Sequence, residues 1–176
     1  MGGVVALVIR LLVPLTLLRW PLAGGIACIV ADTSDIVFFN IFGFPDWDYQ
    51  HFDKLLDLYY LAFEVALAQR WARLPRMLAT GLFGWRLIGA VLFEVTGVRW
   101  ILIIFPNLFE WYWLFVVAVS KYFPHYELTV RRTLGWLVVL LVPKLAQEYA
   151  LHVARWLDQW LLSDLAADLW RRLRQI

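Results

Sequence analysis

A single cysteine, Cys28, in 176 residues excludes a disulfide scaffold. Histidine is as scarce: His51, His125 and His152 include no i, i+4 pair, so the sequence has no zinc-site pattern, and no Ser-His-Asp signature accompanies them. Charged residues make up only 17% of the chain, against roughly 25% in a soluble domain. Polar tracts are missing, which excludes disorder. The formal net charge is only +2 and the arginines are scattered rather than striped along one face, so nucleic acid is not an expected partner. No internal repeat is visible.

What the chain does have is apolar bulk. Hydrophobic residues make up 62%, with 11 Trp, and the mean hydropathy is +0.69. That excess points to lipid as the main solvent, and hence to a multi-pass integral protein of the cell membrane. A spanning helix takes about 20 mostly apolar residues, so the expected architecture is an all-α polytopic transmembrane helical bundle of about six spans. The spans are read at 3–18, interrupted by Arg10 and Pro14, then at 21–43, 51–72, 75–97, 99–123 and 133–153. The first stretch lacks the basic start and small-residue cleavage site of a signal peptide and is read as retained. Residues 1–154 thus form a transmembrane domain. The remainder, 155–176, repeats Trp156, Trp160, Leu161, Leu165 and Leu169 at helical spacing, with Asp and Arg mostly on the other side. This is the pattern of an amphipathic interfacial helix.

Lys and Arg divide almost evenly between the two ends of the spans. Arg19, Arg70, Arg73, Arg76, Lys121, Arg131 and Arg132 fall on one side, while Lys54, Arg99 and the tail arginines fall on the other. Discounting the tail, the first side is the expected cytoplasmic one, with the 44–50 loop outside.

An ionisable side chain in mid-span costs about 2.5–3.5 kcal/mol on insertion scales and so faces protein or water. Asp32 and Asp35 share a face of the second span, and Asp53, Asp57 and Glu64 share one of the third. Arg86 and Glu94 sit in the fourth span, Asn107 and Glu110 in the fifth, Lys144 and Glu148 in the sixth. Some of these can pair to hold helices together: Lys144 with Glu148, or Arg86 with Glu94 or Glu110. Pro106 is expected to break the fifth span and free backbone carbonyls beside Glu110. Gly81, Gly84 and Gly89 are expected to allow close helix contacts. Tyr59, Tyr60 and the Trp111-Tyr112-Trp113 run read as packing or interface aromatics.

Six Asp lie between positions 32 and 57, with Lys54 as the nearby cation. Asp46 and Asp48 belong to an apparent turn containing Gly43 and Pro45. Asp32, Asp35, Asp53 and Asp57 remain, facing each other across a helical hairpin. Their charge calls for protons, water or a hard divalent ion such as Mg²⁺ or Mn²⁺. The spacing D-x2-D-x17-D-x3-D resembles the CDP-alcohol phosphotransferase pattern D-x2-D-G-x2-A-R-x8-G-x3-D-x3-D at its four Asp. The family Gly, Ala, Arg and Gly positions hold Ile36, Phe39, Asn40 and Tyr49. The resemblance implies a metal-dependent transferase acting on a lipid diphosphate. In it Asp32, Asp35 and Asp53 would hold the metals, and Asp57 would assist as the base toward the acceptor alcohol. Two other expectations come from different classes. One is a proton- or cation-coupled carrier using Asp32, Asp57, Glu64, Glu94 and Glu110. The other is a non-catalytic subunit of a larger membrane complex. Membrane lipid, and a second copy or a membrane-complex partner, are the expected associations.

Overall fold

The computed structural model describes residues 2–42, 49–98 and 100–152, with the side chains of 7–32, 55–98, 100–147 and 149. The tail 155–176, the 43–48 loop with Asp46 and Asp48, and the side chains of Asp35, Asp53 and Glu148 lie outside those described residues.

The described elements are all helical. Helix α1 (Gly2–Leu12) runs directly into a 3₁₀ segment, Val13–Leu18. Pro14 accounts for that change, because it has no N–H to donate back to Arg10 and the backbone tightens beyond it. After the Arg19-Trp20 connection come α2 (Pro21–Phe42) and α3 (Tyr49–Ala68). Helix α4 (Arg73–Thr96) has Pro75 in its first turn and stops at Gly97. Gly97 takes φ +66°, a left-handed conformation that favours glycine, and its N–H caps the Phe93 carbonyl at 2.7 Å.

The fifth expected span is broken where Pro106 stands, into α5 (Trp100–Ile104) and α6 (Leu108–Tyr122). Carbonyls freed at the break find donors on α4: Trp85 Nε1 reaches the Ile104 carbonyl at 3.3 Å and Arg86 Nη1 the Phe105 carbonyl at 3.4 Å. Helix α7 (Val130–His152) contains Pro143 within its length.

Helix α6 is the hub. It packs on α2, α3, α4 and α7, and its Phe109, Tyr112 and Trp113 are fully buried. Helices α4 and α5 meet at Gly89, where an added Cβ would run into the Phe105 side chain. Gly81 and Gly84 behave otherwise, since a Cβ at either meets open space. The face of α4 that turns inward carries Ala79, Arg86, Gly89 and Ala90, so the other two glycines fall on its outer side.

Apolar residues cover the outside. Trp85, Ile88, Val91 and Val95 of α4 are exposed, as are Val138 and Val142 of α7. Two stretches, Arg73–Thr96 and Trp100–Tyr122, are long and apolar enough to cross a membrane.

Candidate functional site

The interior holds a set of charged and polar side chains. Arg10, Asp57, Glu64, Arg86, Asn107, Glu110 and Lys144 are all buried. Arg10, Asp32, Asp57, Arg86, Glu110 and Lys144 each stand within about one turn of the middle of their own helical stretch, counting α1 with its 3₁₀ continuation and α5 with α6. Antiparallel neighbours therefore bring their charges to one level of the bundle.

At one edge of this layer, Arg10 joins two helices. Its Nη2 lies 2.5 Å from Asp32 Oδ1 and 2.7 Å from Asp57 Oδ1, so α1 clamps α2 to α3. A guanidinium is suited to this because it offers several donors in one plane. Beside it, Arg10, Val13, Pro14, Cys28, Ala31 and Tyr60 line a pocket with room for about one water.

One turn after Asp57 on the same face, the Tyr60 hydroxyl donates to Glu110 Oε1 at 2.6 Å. Asn107 Nδ2 donates to Glu110 Oε2 at 3.2 Å. Asn107 precedes α6 and Glu110 lies in its first turn, where the helix dipole favours negative charge. Lys144, Asp57 and Arg86 are all within electrostatic reach of Glu110. Lys144 Nζ also donates to Gln147 Oε1 at 3.0 Å.

Glu64, one turn beyond Tyr60, completes the layer. Its side chain is 0% exposed, and neither carboxyl oxygen has a hydrogen-bond partner among the described residues. Its main-chain carbonyl accepts a 2.7 Å bond from Trp113 Nε1, which fixes the backbone at that point. Glu110 is its charged neighbour.

The structure thus gathers Asp32, Asp57, Glu64, Arg86, Asn107, Glu110 and Lys144 from the sequence candidates. Glu94 is exposed near the C-terminal end of α4. Asp35 and Asp53 lie in α2 and α3, and Glu148 in α7, but their side chains are outside the described set. Among the described residues no three His, Cys, Asp or Glu form a metal-binding group. Sequence reasoning missed Arg10 as the cation between the two Asp, and Tyr60 as a donor to Glu110. The signal for Arg10 was present, a charge in the middle of an apolar run. No family model, curated protein or solved structure matches the chain.

Proposed function

We propose that this chain is a six-span, multi-pass membrane protein that moves protons, as a proton-coupled carrier, through a charged layer at mid-membrane depth. One observation carries the reading: buried ionisable side chains from α1, α3, α4, α6 and α7, joined by the partly exposed Asp32 of α2, stand near the middle of their helices in a bundle with many exposed apolar residues. Buried charge is expensive in lipid and is kept where a pathway needs it. Transporters place their substrate and ion sites near the midplane for the same reason. Among the described side chains of the layer, three basic groups (Arg10, Arg86, Lys144) meet four acidic ones (Asp32, Asp57, Glu64, Glu110). One added proton makes the layer neutral. The pocket beside Arg10 and Tyr60 has room for a water that could relay a proton.

The test is reconstitution of purified protein into vesicles loaded with a pH-sensitive dye. A pH gradient or a potassium diffusion potential should drive protein-dependent proton flux. Vesicles that stay as tight as protein-free ones under both driving forces, with or without added cations, would reject the proposal.

A second reading, metal-dependent transfer on a lipid diphosphate, draws on the convergence of Asp32 and Asp57. It requires Arg10 to give way to Mg²⁺ or Mn²⁺, because the guanidinium already lies between the two carboxylates. Turnover of a CDP-lipid or prenyl diphosphate that depends on added Mg²⁺ and stops on chelation would favour it over the carrier.

A further inference from the structure

We infer that the Glu64 carboxyl is the exchangeable proton site of the charged layer, an inference that builds on the proposed proton-moving function. Two acidic side chains, Glu64 on α3 and Glu110 on α6, lie within electrostatic reach of each other, and their surroundings differ. Glu110 receives hydrogen bonds from Tyr60 and Asn107, sits in the first turn of α6 and has Lys144 and Arg86 within electrostatic reach. Each of these features stabilises a carboxylate. Among the described residues Glu64 receives no hydrogen bond at either oxygen, and its side chain is 0% exposed. An ionised carboxylate in such a place has neither water nor a donor to offset its desolvation.

Among the described residues, the elements packed on α3 supply no cation dedicated to Glu64. The 3₁₀ segment Val13–Leu18 has no ionisable residue, α2 brings Cys28 and Asp32, and α6 brings Glu110 and Tyr112. The buried cation of α4, Arg86, donates to the Phe105 carbonyl and is an electrostatic neighbour of Glu110. Where two carboxyls share a site, one proton serves the pair, and here it belongs on the carboxyl without donors. Three basic groups then face three carboxylates.

When that proton departs, Glu64 becomes a carboxylate beside Glu110, and the layer gains one negative charge. The Glu64–Glu110 repulsion then favours either rapid reprotonation or a rearrangement of α3 against α6. Loading and emptying of this one carboxyl is therefore a way to couple proton movement to a shift between two packed helices.

Infrared difference spectroscopy of the whole protein in lipid nanodiscs tests this independently of transport. The wild type should show a protonated-carboxyl stretching band that shifts in D₂O and bleaches as the buffer is made alkaline. Glu64→Gln, which keeps size and shape, should lose the band, and Glu110→Gln should keep one. Glu64→Asp should restore a band at a displaced frequency, which separates loss of the acid from loss of the fold. A wild type without the band, a band that survives in Glu64→Gln, or a band that neither bleaches nor exchanges would overturn the assignment. A titrating Glu64 band in a protein whose vesicles show no flux would reject the carrier and leave the proton site standing. Flux that persists unchanged in Glu64→Gln, with the band surviving, would do the reverse.

Discussion

The hydroxyl of Tyr60 on α3 donates to the carboxylate of Glu110 on α6 at 2.6 Å, and both residues are buried. This bond joins the hub helix to the helix that carries Asp57 and Glu64. Tyr60→Phe keeps the ring and removes the donor, leaving Asn107 as the other side-chain donor to Glu110 among the described residues. The expected loss is about 1–3 kcal/mol, the cost of leaving a buried polar group short of a partner. Unfolding in mixed micelles measures it. Tyr60→Phe combined with Glu110→Gln should cost less than the sum of the two single changes, because both act on one contact.

Arg10 serves two carboxylates at once, so its removal should be the most damaging single change in the layer. Arg10→Met leaves Asp32 and Asp57 facing each other without the cation between them. Breaking the buried pair with Asp57 from one side costs about 3–5 kcal/mol, while the pair with Asp32, whose side chain is 35% exposed, adds less. Adding Asp32→Asn and Asp57→Asn removes the two negative charges that Arg10 had balanced, and the triple variant should recover most of that loss. If the triple variant were no more stable than Arg10→Met alone, the clamp would not be the source of the cost. The same variants bear on the diphosphate reading, which needs both Asp for activity.

The helical layout was legible because long apolar stretches write their length directly into the sequence. The 3–18 stretch, with Arg10 and Pro14 within it, appears as α1 and its 3₁₀ continuation, and Pro106 breaks the fifth stretch as its missing N–H requires. Partner choice was not legible. Asp32 and Asp57 are visible as a charge problem, but which cation answers it depends on how α1 rotates, and helical periodicity does not encode rotation about a neighbour. The glycines make the same point: Gly81, Gly84 and Gly89 look alike in sequence, yet only the face containing Gly89 turns toward α5. Glu64 and Glu110 were both recognisable as mid-span acids. Their difference rests on Tyr60 and Asn107, contacts made across space.

That contrast among glycines makes a packing prediction. At Gly89 a side chain would enter the Phe105 ring and push α5 away from α4, disturbing the neighbouring Trp85 and Arg86 bonds to the broken backbone. Gly89→Leu should destabilise by at least the 1–3 kcal/mol typical of overpacking, read as a lowered midpoint of thermal unfolding in detergent. Gly81→Leu, on the open side, should leave that midpoint unchanged or raise it, since leucine is the better helix former.

The proposed six-span arrangement fixes which connections share a membrane face. The α3–α4 turn at Arg70 and the α6–α7 connection at His125 should lie on one side, and the α4–α5 connection at Val98 on the other. Cys28 is buried, and replacing it by alanine gives a background free of thiols. Single cysteines at Arg70, His125 and Val98 can then be exposed to a membrane-impermeant maleimide in sealed vesicles of one orientation. Arg70 and His125 should label together, and Val98 only after the vesicles are opened, or the converse. With the tail discounted, the count of Lys and Arg makes the Arg70 end the expected cytoplasmic face. If all three sites labelled equally in sealed vesicles, α4 and the α5–α6 pair would not both cross the bilayer. The charged layer would then have no midplane to occupy.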